Sequence, residues 1–354
     1  MTHESRKLKP PKPTAVQALS WITKAGRASV RIAGAKLGIL LSTALMLVAT
    51  QTAMAQSWPN RPIKLIVPYS AGQGTDIVAR YVADEVGKEL HQAIVIDNRP
   101  GAGGNIGTQA AARSQPDGYT FIIGTNATHA ANAFLYSKPG FDAQADFEPV
   151  AMVGLYPMVY VTRPSNPINN MHELQRAARL KPDGLNVAVS ATTYRMAHEL
   201  FKLRAGGAMF PVDFKGSAQA LTAVVGGQVE YMVDSIAGLR GAIQSQQVKA
   251  LGVTSASTSR LLPGVQSLAE QGIAGYELTG WSVIYAPKGT PADILRTLSA
   301  ALEKVLSKPA VQDKLLQLGI EPKTMARDEL RKFGAEEREK WGRLIQAAGL
   351  KPAN

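Results

Sequence analysis

The chain has 354 residues, of which 45% are hydrophobic and 19% charged, with 32 Gly, 21 Pro and no Cys. Its length suggests two domains at about 150 residues each, and its composition excludes disordered and low-complexity classes. The lack of cysteine excludes disulfides, thiolate metal sites, iron–sulfur clusters, a catalytic thiol and a lipidated N-terminal cysteine.

The net charge of +12 resembles a nucleic-acid signal, but its distribution argues otherwise. Eight basic side chains (Arg6, Lys7, Lys9, Lys12, Lys24, Arg27, Arg31, Lys36) and one acid, Glu4, precede the apolar run Leu37–Thr50. Ala53-Met54-Ala55 follows as a small-x-small exit. This is the order of a secretory signal peptide over residues 1–55. The apolar run is shorter than the ~20 residues that span a bilayer, which disfavours the alternative of an uncleaved anchor. With the eight bases and one acid removed, the 39 Lys and Arg and 27 Asp and Glu of the whole chain reduce to a net +5. No basic stripe interleaved with aromatics remains, so nucleic acid is not an expected partner.

Beyond the leader, short β-branched runs alternate with longer amphipathic stretches. The predicted strands are Ile63–Tyr69, Ala93–Asp97, Thr120–Gly124, Val150–Val161, Leu185–Ser190, Phe210–Phe214, Val229–Asp234, Val248–Thr254 and Val283–Ala286. The predicted helices are Thr75–Leu90, Gly107–Arg113, Met171–Leu180, Met196–Ala205, Ser217–Val225, Ile236–Gln244, Ala292–Leu306, Ala310–Leu318 and Asp328–Ala347. This rhythm implies an α/β protein of βαβ units with mostly parallel sheets covered by helices. No internal repeat is evident. A two-domain chain that passes between its lobes more than once fits the pattern.

The candidate ligand groups sit where strands end. The first strand runs into Pro68-Tyr69-Ser70-Ala71-Gly72-Gln73-Gly74-Thr75-Asp76 and then directly into a helix. Glycines allow close backbone approach, Thr75 or Asp76 can cap the helix, and free amides there can hold a carboxylate or phosphate. A plain βα turn reads equally well. Neither phosphate-loop nor dinucleotide signatures fit: Gly74 is followed by Thr75 and Asp76, and Ile106 stands where the fingerprint of the Arg99–Gly107 segment needs its third glycine.

Gly124-Thr125-Asn126-Ala127-Thr128-His129 offers two hydroxyls, an amide and an imidazole at another strand end. His129 reads as a donor to an anion or as a packing histidine. No His-Glu-x-x-His pair occurs, so a metal site is not expected. Ser190-Ala191-Thr192-Thr193 and Phe214-Lys215-Gly216-Ser217 repeat the pattern of hydroxyls at strand ends. Lys215 can neutralise a carboxylate or stand idle on the surface. Asp234 can accept from a ligand, from Lys215 or from a helix N-terminus. The Gly-x-Ser-x-Gly elbow is absent around Ser70. Neutral donors at strand ends suit binding better than turnover, so an exported hydrolase is the weaker reading.

Ordered segments over Trp58 to Pro352 resemble the Bug-type (Bordetella uptake gene) solute-binding proteins of tripartite tricarboxylate transporters. Among them are Trp58-Pro59-Asn60-Arg61-Pro62-Ile63, Gly74-Thr75-Asp76-Ile77, Asn98-Arg99-Pro100-Gly101-Ala102-Gly103-Gly104, Pro116-Asp117-Gly118-Tyr119-Thr120, Phe214-Lys215-Gly216-Ser217 and Ala250-Leu251-Gly252-Val253-Thr254-Ser255. The resemblance implies a two-lobed periplasmic binding protein of Venus-flytrap type. One lobe would hold residues 56–156 and 282–354, the other 157–281. A carboxylate ligand, expected to be a di- or tricarboxylate, would lie between them. Tyr69, Ser70, Ala71, Gly72, Gly74, Thr75 and Asp76 would hold one carboxylate. Thr125, Thr128, His129, Ser190, Thr192, Thr193, Lys215, Gly216, Ser217 and Asp234 would face it. The implied partner is a membrane permease, with a sensor kinase as the alternative and an aromatic monocarboxylate or amino acid as the alternative ligand. A periplasmic monomer without cofactor is expected.

The chain departs from the family pattern at Gln73, at Arg195 (where a histidine is usual), at Asp213 (where a proline is usual) and at Ser235. Gln73, Arg195 and Asp213 are therefore the candidate specificity positions. Asp213 would repel a second ligand carboxylate unless Arg195 or Lys215 pairs with it. An inward Arg195 favours a diacid; an outward one favours a monocarboxylate or an amino-acid-like ligand. If both are plain surface residues, they set no selectivity.

Overall fold

The computed structural model describes residues 58–352. The leader and its cleavage motif lie outside these residues.

Ten strands form two five-stranded sheets among the described residues. In the first sheet, β1 (Ile63–Val67), β2 (Ile94–Asn98) and β3 (Thr120–Thr125) run parallel. The order continues through β10 (Gly280–Pro287) to β4 (Phe147–Tyr156), giving β2-β1-β3-β10-β4. In the second sheet, β6 (Leu185–Val189), β7 (Met209–Asp213) and β8 (Tyr231–Ser235) run parallel. There β5 (Met158–Thr162) and β9 (Lys249–Val253) complete the order β7-β6-β8-β5-β9. Each sheet contains one strand antiparallel to both neighbours: β10 in the first and β5 in the second. The fold is thus two-lobed α/β with mostly parallel sheets, and the two sheets share one topology that the sequence does not display as a repeat.

The antiparallel strands are where the chain changes sheets. The predicted single strand Val150–Val161 is in fact two, β4 and β5, broken at Pro157. Proline lacks the N–H that a central ladder needs. The apolar run continues through the break because β4 pairs with β10 in one sheet while β5 pairs with β8 and β9 in the other. The return crossing enters the first sheet as β10, longer at both ends than the predicted Val283–Ala286 because it is flanked by β3 and β4.

Helix positions follow the apolar periodicity. Met171–Leu180, Ser217–Val225, Ile236–Gln244 and Ala292–Leu306 match the predicted bounds. In the first of these, Met171, Leu174 and Ala178 are the buried positions, spaced to fall on one face. The helix predicted to start at Met196 begins at Thr192, one turn earlier. The sequence reading placed no element after β3, where a π-turn, Ala127–Ala131, and a short helix, Asn132–Leu135, occur.

The C-terminal helix Arg327–Ala347 returns to the first sheet. Its buried Glu337 accepts from Trp281 Nε1 on β10 (2.8 Å) and from its own Trp341 Nε1 (3.1 Å), and it pairs with Lys340. Two indoles and an ammonium thereby satisfy a buried carboxylate, a necessity for any charge removed from water. This anchor sets where the chain end lies.

Gly124 on β3 is required by close packing. A Cβ there would come within 2.4 Å of His129 Nδ1 and 2.8 Å of Tyr285 Cδ2. Gly124→Ala should destabilise the fold by about 1–3 kcal/mol, the ordinary cost of overpacking. Urea unfolding checks this; an unchanged midpoint refutes the packing constraint.

Candidate functional site

Strand ends of both sheets meet at one cleft of about 600 Å³. That volume lies within the usual range for small-molecule sites, about 300–1,000 Å³. Tyr69 beyond β1, Asn126 beyond β3, Ser190 to Thr193 beyond β6 and Asp213 with Phe214 at the end of β7 line it, together with Trp341 and Lys351 from the C-terminal segment.

On the first-sheet side, the turn after β1 is held by a buried carboxylate. Asp76 accepts from Gly72 N–H (2.8 Å), Arg80 Nε (2.9 Å) and Asn98 Nδ2 (2.8 Å). Asn98 Nδ2 also donates to the Tyr69 carbonyl (3.1 Å), so the same network fixes both ends of the turn. Burial alone would raise the Asp76 carboxyl; the Arg80 guanidinium, the Gly72 N–H and the Asn98 amide outweigh it and hold the group below the usual carboxylate range. Asp76 is therefore turned into its own turn. Ser70, Ala71, Gly72, Gln73 and Gly74 remain exposed, and Thr75 is half-buried. A Cβ on Gly74 would meet nothing within 4 Å, so packing does not demand glycine there. The helix that follows, Gly74–Leu90, has no side-chain cap.

Tyr69 and Thr125 share a hydrogen bond of 2.7 Å between their hydroxyls. Thr128 Oγ1 accepts from the Thr125 N–H (3.0 Å) and meets His129 Nδ1 at 2.9 Å. His129 does not line the cleft. It is buried, stacks on Tyr285 with centroids 4.0 Å apart, and borders a separate cavity of about 270 Å³ beneath the C-terminal helix. Burial pushes its pKa down to about 3, so the imidazole there is neutral.

The second-sheet side repeats the device. Asp234, buried at the end of β8, accepts from Ser190 Oγ (3.0 Å) and from the Ser235 N–H (2.7 Å). Burial, and after it the charge of Asp234, raise the Tyr194 pKa above the usual phenol range. Asp234 does not line the cleft but positions Ser190, which does. Helices Thr192–Ala205 and Ser217–Val225 start with no side-chain cap, at Ala191 and Gly216. A Cβ on Gly216 would meet open space. Lys215 is exposed and outside the cleft lining, while Ser217 lies 3.4 Å from Ser190 through their hydroxyls.

Across the cleft, Asn126 Nδ2 donates to Thr193 Oγ1 at 3.3 Å. Arg195 and Asp213 both line the cleft and form an ion pair, with Nη1 2.8 and 2.7 Å from the two carboxylate oxygens. Of the residues singled out from sequence, Tyr69, Ser190, Thr192, Thr193, Arg195 and Asp213 line the cleft. Sequence reasoning missed Asn132, Tyr136, Trp341 and Lys351, and it quoted Gly103 and Asn126 only as parts of segments. A strand-end motif could have raised Asn126. Nothing local marks Trp341 or Lys351, which reach the cleft through the return of the last helix.

Among the described residues, no group of three or more His, Cys, Asp or Glu side chains could hold a metal, and no helix is long and apolar enough to cross a membrane.

Residues 78–350 match the family model described as the tripartite tricarboxylate transporter family receptor. The chain belongs to that family. It is 32% identical over 320 residues to the protein BugT of Bordetella pertussis, a match that covers 90% of this chain and 97% of BugT. The structure of R. palustris Rpa4515 with adipate is 33% identical with a TM-score of 0.71, covering 84% of this chain and 100% of that one. MatC of Rhodopseudomonas palustris with bound malate is 31% identical with a TM-score of 0.66, covering 81% and 100%. The protein is thus a Bug-type solute-binding receptor, not an enzyme.

Asp76→Asn should cost about 1–3 kcal/mol, because partners arranged around an ionised carboxylate are left poorly matched. The depressed pKa of Asp76 means that its contribution is present above the unfolded value, about 3.9, and is lost as pH falls through the lower folded value. Urea unfolding at pH 7 and pH 3 checks both points: the variant's deficit should shrink at the lower pH, and an equal deficit at both would refute the role.

Proposed function

We propose that this receptor is exported to the periplasm, captures a small carboxylate in the cleft between its two sheets, and delivers it to a tripartite permease. Residues 1–55 would be the cleaved leader. Residues 56–156 and 282–354 would form one lobe and 157–281 the other.

One observation carries the reading: a cleft at the strand ends of both sheets is lined by the uncapped start of the Thr192–Ala205 helix together with the hydroxyls of Tyr69, Ser190 and Thr193 and the amides of Asn126 and Asn132. The first N–H groups of a helix have no partner inside it and bear partial positive charge. Such groups hold carboxylates without a full cation. The buried anchors Asp76 and Asp234 keep the turns in place before any ligand arrives, which lowers the ordering cost of binding. Adipate and malate in the related proteins support an organic acid as the ligand class. Capture would bring the lobes together as ligand contacts add to the Asn126–Thr193 bond, in the manner of hinge closure.

Thermal unfolding of the mature chain against a library of organic acids tests the proposal. A specific acid at 100 times its Kd should add roughly 2.7 kcal/mol of stability. A flat response across the library refutes carboxylate capture. Ala191 lines the cleft, is exposed, and lies at a helix start. Ala191→Trp should fill the space and weaken binding by about 100-fold, near 2.7 kcal/mol, with the melting temperature of the free protein nearly unchanged. Unaltered affinity would place the ligand elsewhere. Deletion in the host should abolish uptake of that acid; loss of induction with uptake intact would assign it to a sensor instead of a permease.

A further inference from the structure

The second-sheet wall of the cleft carries one ion pair among otherwise neutral groups. Arg195 rises from the Thr192–Ala205 helix, and Asp213 closes β7. Both line the cleft, and both Asp213 oxygens meet the same guanidinium nitrogen. Arg195 is the more enclosed partner, with its side chain 26% exposed against 72% for Asp213. Its Nε is buried without an acceptor. A buried donor left unpaired is costly, so the carboxylate that Arg195 does meet holds it in place.

A guanidinium on a cleft wall is the natural partner for a carboxylate, because its planar fork matches two oxygens. Here the chain supplies that carboxylate itself. A ligand carboxylate approaching Arg195 would have to displace Asp213 and would meet its negative charge while doing so. Lys351 is the remaining cation of the cleft wall, and it makes no ion pair among the described residues. Arg195 and Asp213 cancel, so the lining leaves one positive charge without a counterpart. The rest of the wall includes Leu135, Tyr136, Phe214 and Trp341, which suit an uncharged body.

We infer that Asp213 occupies Arg195 in place of a second ligand carboxylate, so that the cleft selects organic acids with one carboxyl group and an uncharged remainder. The inference rests on the carboxylate reading above and narrows it. It departs from the di- or tricarboxylate expected from sequence resemblance and reverses the expectation that an inward Arg195 favours a diacid: Arg195 does line the cleft, but its guanidinium is already taken by Asp213.

Calorimetry with two matched pairs tests it: hexanoate against adipate, and benzoate against terephthalate. The proteins are the wild type, Asp213→Asn and Asp213→Ser. Asp213 is exposed, so both variants should fold, and a thermal melt verifies this. In the wild type the monoacid of a pair should bind at least about tenfold tighter than the diacid. In both variants the ratio should move toward the diacid by about tenfold or more, near 1.4 kcal/mol. An unchanged ratio in both variants, with wild-type monoacid binding intact, overturns the inference and leaves carboxylate capture standing. A wild-type preference for a diacid, or a library whose tightest binder has two or more carboxyl groups, does the same. No binding of any carboxylate overturns capture and the inference together.

Discussion

Two buried carboxylates organise this receptor's cleft. Asp76 and Asp234 are each nearly sealed from solvent, and the partners of each include one group from the turn it supports, Gly72 N–H for Asp76 and Ser190 Oγ for Asp234. A carboxylate removed from water needs such partners, or it would be neutralised or expelled. That requirement works in reverse as well: the partners are held where the carboxylate needs them. Gly72 and the Tyr69 carbonyl are tied to the Asp76–Asn98 network on one side, and Ser190 to Asp234 on the other. The turns facing the cleft are therefore set by side chains that do not themselves line it.

The second constraint is topological. Both sheets share one order, with the antiparallel member in each supplied by a chain that has just crossed from the other sheet. Pro157 marks the first crossing and β10 the second. With parallel strands directed alike in each sheet, their C-terminal ends gather on one edge, the usual place for ligands in α/β proteins. The last helix then returns through the Trp281–Glu337–Trp341 anchor and carries Lys351 to the same place. A receptor built this way combines rigid turns with two crossings about which lobes can rotate.

Much of the fold is legible in the chain. The helices Met171–Leu180 and Ala292–Leu306 follow from apolar positions at helical spacing, and strands such as Leu185–Val189 from short apolar runs. The strand-end turns are legible because glycine, serine and threonine cluster after those runs. The π-turn at Ala127–Ala131 is not, since five small or polar residues carry no period. Nor is the break within Val150–Val161 legible from apolarity: both halves are buried, though in different sheets.

The alternation of strands and helices and the strand-end segments Tyr69–Asp76, Thr125–His129, Ser190–Thr193 and Phe214–Ser217 can be read from the chain, because local propensity and apolar spacing act over a few residues, and the family resemblance rests on the order of those and other segments. Which side chains within those segments meet is a matter of the folded chain. It turned Asp76 and Asp234 inward as anchors, sent His129 to stack on Tyr285, and paired Arg195 with Asp213. It also brought Trp341 and Lys351 beside Tyr69 from the far end of the chain. Those choices depend on burial, hydrogen bonding and charge between residues distant in sequence, and a linear pattern carries no record of which of them will be neighbours.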